Sequence, residues 1–555
     1  MDERERPLWY KNAVIYGLDV ATFQDSNGDG VGDFPGLCRR LDYLADLGVT
    51  CLWLLPMFPT PDRDNGYDVM DYFGIDPRLG TFDDFLMFVR KAGERGLRVI
   101  LDLVMDHTSN EHPWFRAARH DPASRFRRYY TWTDMPPPTE PGQGNIFAGQ
   151  ESSVWTFDEI AGQYYYHRFY HFEPDLDVTC PEVREEIKRV IDFWLSFGIS
   201  GFRVDAVSHM IESPLPSPDP ALRHDAHHIL RDLRAFTSSR RADAALLGEA
   251  DVEPNELAAF FGEGNELHLL YNFLLDNYLF LALATGRAEP IGRALRLLPS
   301  IPEGCQWVNF LRNLDELDLE RLTEDERESV YDAFAPDQEM RIFGRGIRRR
   351  LAPMLGDRRR LELAMSLLFS LPGAPMLVYG DEIGMGDDLS LDGRNAVRTP
   401  MQWSKARHGG FSTAPTRTLT MPVVAKGPFR YRQVNVEAQA GDPESVLNAI
   451  KRFIRLRREC PEWGSGLCRV WQTGEPSVFV HSCEWRGKRL VAAHNFANKS
   501  GIVHLEQEPH HTLVPLCSSR HREAPAPPRL ELDPYGYVWY RVLNRTAQTI
   551  GASVT

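Results

Sequence analysis

The chain predicts an α/β fold in the form of a (β/α)8 barrel, on three observations. Short apolar runs alternate with helix-like segments, and no glycine-rich loop of the Rossmann type interrupts them. The strongest candidate acids lie at or just after the ends of those runs, where barrel enzymes place their chemistry. Residues 13–16, 50–55, 98–104, 201–204, 245–248, 306–310 and 375–379 read as buried parallel strands. Helical patterns at 35–47, 82–95, 181–197 and 358–370 fall between them. An open doubly wound sheet is the competing arrangement.

Two long segments interrupt the alternation. Residues 108–179, aromatic-rich and carrying the turn cluster Met135-Pro136-Pro137-Pro138, are too long for a barrel loop and read as an inserted subdomain. Residues 380–441 carry a second excursion that includes Arg394 and Arg398. A helix at 445–458 then gives way to short alternating strands at about 470–542. The expected division is barrel 1–107, subdomain 108–179, barrel 180–468, and a C-terminal antiparallel β-sandwich at 469–555.

Composition narrows the functional classes. With 555 residues, 43% apolar and 25% charged, the chain is that of a globular protein of more than one domain. The net charge of −15, without a long basic run, argues against nucleic acid or an anionic membrane surface as a partner. No stretch approaches the roughly 18 apolar residues of a membrane span, and Met1–Arg6 lacks the apolar core of a secretory signal. Eight scattered cysteines without a CxxC pair suggest reduced thiols, a cytoplasmic location and no zinc site, with a disulfide among the later ones as the alternative. A homo-oligomer is left open.

The chemistry rests on Asp205 in Gly201-Phe202-Arg203-Val204-Asp205-Ala206, Glu249 in Leu247-Gly248-Glu249-Ala250, and Asp315 in Phe310-Leu311-Arg312-Asn313-Leu314-Asp315. Cleaving a glycosidic bond with retention takes one carboxylate as nucleophile and a second carboxyl as acid, then base. A third can complement the charge of the oxocarbenium-like transition state. Arg203, two residues before Asp205 on one strand face, is placed to hold that carboxylate ionised. A separate loop, Asp25-Ser26-Asn27-Gly28-Asp29-Gly30-Val31-Gly32-Asp33, alternates oxygen donors and has glycine sixth, as a calcium loop requires. Its expected ligands are Asp25, Asn27, Asp29, the Val31 carbonyl and Asp33; position twelve is Gly36 rather than the glutamate of an EF-hand.

These motifs, together with 102–108, Gly66-Tyr67-Asp68 and Gly380-Asp381-Glu382, resemble the α-amylase family, glycoside hydrolase family 13, over nearly the whole chain. The resemblance implies Asp205 as nucleophile, Glu249 as acid/base and Asp315 as transition-state stabiliser, through a β-glucosyl enzyme. It implies Tyr67 as a stacking platform, Asp68 and His107 as partners of the same sugar, and Arg398 paired with Asp68 at the closed end of the pocket. Phe147 is a candidate for the pocket wall. It also implies structural Ca2+ in the 25–33 loop, and Asp106 is a candidate for a second site with Asp175. No organic cofactor is implied.

Residues 161–165, 305–307, 347–353, 379–387 and 434–439 resemble the trehalose synthases of bacteria, and Ala206 after the nucleophile suits α-1,4 linkages. Three places depart from them: Leu314 stands where histidine is usual, 173–177 differs, and so does 267–281. A lost donor at position 314 would cost about 100–1000-fold in rate. The expected function is rearrangement or cleavage of maltose-type or trehalose-type α-glucosides. The alternatives are an α-glucosidase or transglucosidase with another donor, and a non-catalytic α-glucan-binding barrel.

Overall fold

The computed structural model describes residues 8–138, 144–147, 149–211, 226–313, 315–505, 511–519 and 529–544. Eight parallel strands close into a barrel, each hydrogen-bonded to its sequence neighbours: β1 Ile15–Leu18, β2 Cys51–Leu54, β3 Arg98–Leu103, β4 Gly201–Val204, β5 Ala245–Gly248, β6 Leu269–Tyr271, β7 Gln306–Asn309 and β8 Ala374–Val378. Nearly every strand residue is buried, because side chains face the barrel interior on one side and the helices on the other. Seven of these strands match the apolar runs read from the sequence. The sixth, β6, was not among them.

Local chemistry sets the helix ends. Helix α1, Phe34–Leu47, starts at Asp33, whose side chain accepts from Gly36 N, and stops at Gly48 in the left-handed region at φ 95°. Helix α2, Phe82–Glu94, opens with a reciprocal capping box between Thr81 and Asp84. Inside the barrel the Trp53 ring lies against Gly17, where an added Cβ would come within 2.7 Å of it. Trp53 Nε1 donates to Asp102 Oδ2 at 3.2 Å, so the barrel floor already carries a polar group that the active site uses.

Between β3 and α3, Pro181–Ser196, the insertion builds a three-stranded antiparallel sheet of Trp132–Thr133, Gln163–Tyr166 and Trp155–Asp158. Phe115 stacks on Trp132 at 5.4 Å and meets Tyr165 edge-on at 5.0 Å, giving this piece an aromatic core of its own. The C-terminal domain is a five-stranded antiparallel sheet beginning at Leu467–Trp471, with a two-stranded sheet of Gly501–His504 and Arg529–Leu532. It is fastened to the barrel by buried polar contacts on Ser366 in α4, Arg358–Ser370. Trp539 Nε1 donates to Ser366 Oγ at 2.9 Å, and His494 Nε2 lies at the same distance. Among the described residues no helix is long and apolar enough to cross a membrane.

Glu382, after β8, is fully buried; Tyr16 and Tyr43 both donate to its Oε1, at 2.8 and 2.7 Å, while Oε2 has no partner. Burial pushes this carboxyl up to about 7, against the opposing tyrosine hydrogen bonds. The folded state therefore holds a proton that the unfolded chain releases near pH 4.3, and stability falls as pH rises from there through about 7. Glu382→Gln mimics the protonated acid. Relative to wild type its Tm should change little at pH 5 and rise by pH 8, a gain on the order of 3 kcal/mol. Calorimetry that finds the same difference at both pH values would show that Glu382 does not titrate in this range.

Candidate active site

The C-terminal ends of β4, β5 and β7 deliver the three acids to one cavity of about 480 Å3, within the size range of small-molecule sites. Asp205 follows β4 directly, and its amide still bonds Leu103 O of β3 at 3.1 Å. Ala206 turns left-handed, at φ 40° and ψ 41°, and its N–H donates to Glu249 Oε2 at 3.3 Å. Glu249 follows β5 and is tied to β4 through its own N–H to Val204 O at 3.1 Å.

Arg203 organises the group from below. Its Nη1 bonds Asp102 Oδ1 at 2.9 Å and also bonds Asp205, while Nη2 lies 2.5 Å from Glu249 Oε2. One guanidinium therefore bridges the nucleophile candidate and the acid/base candidate. Burial raises the Asp205 carboxyl above the ordinary range, and Arg203 is the main influence pulling it down. Asn313 Nδ2 donates to Glu249 Oε1 at 2.8 Å, which orients the second carboxyl.

Asp315 is held by a fork: Arg398 Nε and Nη2 reach its two oxygens at 2.5 and 2.6 Å. Burial works to raise this carboxyl, but Arg398, Arg394 and Arg312 outweigh it and keep it below the usual carboxylate range. Tyr67 lines the cavity and donates to Asp102 Oδ2 at 3.1 Å. His107 also lines it, with Nε2 3.1 Å from Tyr67 O and Nδ1 3.1 Å from Asp106. Burial opposes protonation of His107, yet Asp106 and Glu173 raise its pKa well above the ordinary value.

Phe147 forms part of a roof. It stacks on Phe343 at 4.9 Å and packs against Tyr170 at 4.7 Å, with the Arg394 guanidinium 4.5 Å from its ring. Arg394 in turn holds Glu316 through two hydrogen bonds of 2.9 Å.

Two expectations need correction. Asp68 is not at the cavity: it is fully buried behind the wall, accepting from Thr60 Oγ1 at 2.7 Å and Arg63 N at 3.1 Å. Arg398 does not pair with it, because Asp68 is already satisfied by the 60–64 loop. Arg398 grips Asp315 instead, and its nearest contact on that loop is Asp64, at 3.9 Å. Asp64, Asn313, Phe343 and Arg394 were missed as site residues; for Asp64 the available signal was its place four residues before Asp68, in Asp64-Asn65-Gly66-Tyr67-Asp68. Leu314 lies outside the described residues. Asp175, the proposed partner of Asp106, accepts from Arg168 N at 2.9 Å.

Residues 18–465 match the family model described as alpha amylase, catalytic domain. The chain belongs to the α-amylase family. Within it, the chain is 44% identical over 541 residues to a trehalose synthase of Thermus thermophilus, covering 96% of this chain and 55% of that protein. It is 40% identical to a trehalose synthase of Pimelobacter sp., covering 97% of each. Thus it spans about half of the longer relative and nearly all of the other. Among solved α-amylase-family structures, the trehalulose synthase of Pseudomonas mesoacidophila superposes with a TM-score of 0.77 at 26% identity, covering 96% of this chain and 99% of that one.

Proposed function

We propose that the protein is a retaining α-glucoside rearranging enzyme that converts maltose and trehalose into one another. The observation that carries this reading is the bridged pair Asp205 and Glu249 at the base of a roofed cavity. Asp205 attacks the anomeric carbon while Glu249 protonates the departing oxygen, giving a β-glucosyl enzyme and a free glucose. Asp315 and His107 are placed to hold the sugar in its distorted, charged form. The aromatic roof keeps the glucose in the cavity, where it turns and attacks through its anomeric hydroxyl while Glu249 removes the proton. The trehalose synthases at 44% and 40% identity support the same reading. NMR of products from maltose, trehalose and sucrose tests it: trehalose from maltose with little glucose is expected, and glucose as the main product would make the enzyme a hydrolase.

A structural Ca2+ in the 25–33 loop belongs to this proposal. Asp25 and Asp33 are buried, and among the described residues no arginine or lysine pairs with Asp25, Asp29 or Asp33. Gly30 has φ 103°, and a Cβ there would meet Thr418 O at 2.1 Å, which explains glycine at the sixth position. The ion would be held by Asp25, Asn27, Asp29, Val31 O and Asp33, and would supply fold stability rather than catalysis. Saturation at a hundredfold excess over Kd would add about 2.7 kcal/mol. Chelation should therefore lower Tm by more in wild type than in an Asp25→Asn/Asp29→Asn variant; equal shifts in both would remove the ion from this loop. A cytoplasmic location completes the reading, supported by eight free cysteines.

A further inference from the structure

The cavity wall carries a second group of acids that the reaction above does not use. Asp251 lies two residues beyond Glu249, and Asp318 and Glu320 lie just beyond Asp315. Each of the three brings one carboxylate oxygen within 4.8 Å of the others, and all three border the cavity. They come from the loops after β5 and β7, the same loops that position the acid/base and the stabilising carboxylate.

Two arginines answer these acids. Arg321 Nε lies 3.0 Å from Asp251, Nη1 2.8 Å from Glu253 and Nη2 3.1 Å from Glu320. Arg345 Nε lies 2.8 Å from Asp318 and 3.3 Å from Glu320. An ordinary salt-bridge network would end there, with its charges balanced.

It does not end there, because of Asp276. This residue sits in the first turn of the helix Phe273–Thr285, 1% exposed, and neither of its carboxylate oxygens has a hydrogen-bond partner. The charged groups that act on it are Asp318 and Asp251, both of its own sign. The next residue locks the helix onto the cluster: Asn277 Nδ2 donates to Asp318 O at 2.9 Å, and Arg321 N donates to Asn277 Oδ1 at 3.2 Å. Four acids, Asp251, Glu253, Asp318 and Glu320, thus share two guanidiniums, with Asp276 unpartnered behind them. A buried carboxyl without a hydrogen-bond partner is costly, and a cation with its bound water beside it is a direct remedy.

We propose that Asp251, Asp318 and Glu320 form a binding site for a hard divalent cation, Ca2+ or Mg2+, with Asp276 as the buried acid behind it. All-oxygen ligation suits either ion, and both have more coordination positions than three carboxylates fill. Because the cluster borders the cavity, the remaining positions face the space in which a released glucose turns. The bound cation ties the Glu249 loop to the Asp315 loop and offers an anchor for hydroxyls of the acceptor sugar.

The test measures metal binding, so it stands or falls apart from the assigned reaction. Metal-stripped protein is equilibrated by dialysis with Ca2+ alone and with Mg2+ alone, and bound ion is counted per chain. Asp251→Asn/Asp318→Asn should bind one ion fewer than its parent for at least one metal, whether the parent is wild type or Asp25→Asn/Asp29→Asn. Asp276→Asn should weaken that same ion by about tenfold or more, while its Tm in chelator is no lower than that of wild type. Burial, Asp318 and Asp251 push the Asp276 carboxyl towards its neutral form, which the amide resembles, so the empty site loses nothing by the change. Unchanged ion counts in the double variant, or unchanged affinity in Asp276→Asn, would overturn the proposal. If the double variant fails to fold, Asp276→Asn decides alone.

Discussion

Asp205→Asn should lower turnover of maltose by about 10⁴-fold or more, the scale of losing a nucleophile that acts as part of a unit. The variant should still fold, because Arg203 keeps its bonds to Asp102 and Glu249. Glu249→Gln should be equally slow on maltose but fail at a different step. Its defect lies in protonating the leaving group and, later, in deprotonating the acceptor. An α-glucosyl fluoride needs no proton to depart, so Glu249→Gln should cleave it at a rate near that of wild type and then accumulate a glucosyl enzyme of increased mass. Asp205→Asn should form no such adduct with either donor. Intact-protein mass spectrometry after a brief pulse separates the two. An adduct that survives in Asp205→Asn would move the nucleophile to another residue, and the bridge through Arg203 would then need a different explanation.

Much of this site was legible because the family motifs sit on short, bounded apolar strands. Gly201–Val204 and Ala245–Gly248 end in their acids, so reading the strand already placed Asp205 and Glu249 at the barrel mouth. Strand β6 was not legible for the converse reason. Leu269–Tyr271 runs through Asn272 into a helix, Phe273–Thr285, that is buried on nearly every face. Residues 267–281 therefore have neither a period nor a break to separate strand from helix. The mistake over Asp68 has another cause. In the irregular loop 60–68 no periodicity says which carboxylate faces outward, and whether Asp68 faces Thr60 or approaches Arg398 is settled only by three-dimensional packing. Arg398 and Asp315, 83 residues apart, and Phe147 and Phe343, still further apart, meet only once the barrel has closed.

Opening the roof should convert the rearranging enzyme towards a hydrolase. Phe147, Phe169, Ala206 and Phe343 form one apolar cluster above the cavity, with Ile146, Tyr170 and Ile342 around it. Phe343 is the member to remove. It holds φ at 54°, a conformation that is strained for a bulky side chain and easy for glycine. Phe343→Gly therefore releases about 1 kcal/mol or more of backbone strain, which offsets part of the packing lost with the ring. Phe147→Ala has no such compensation and should be the less stable variant. With the ring gone, Arg394 loses one of its two aromatic neighbours, and water gains a path to the glucosyl enzyme. The chemical groups are untouched, so consumption of maltose should stay within about threefold of wild type while the ratio of glucose to trehalose rises on the order of tenfold, the change expected when exclusion of water rather than chemistry is lost. Time-resolved NMR gives both quantities from one sample. An unchanged ratio at full consumption would mean that the acceptor is retained by polar contacts on the cavity wall and that the aromatic roof is only packing.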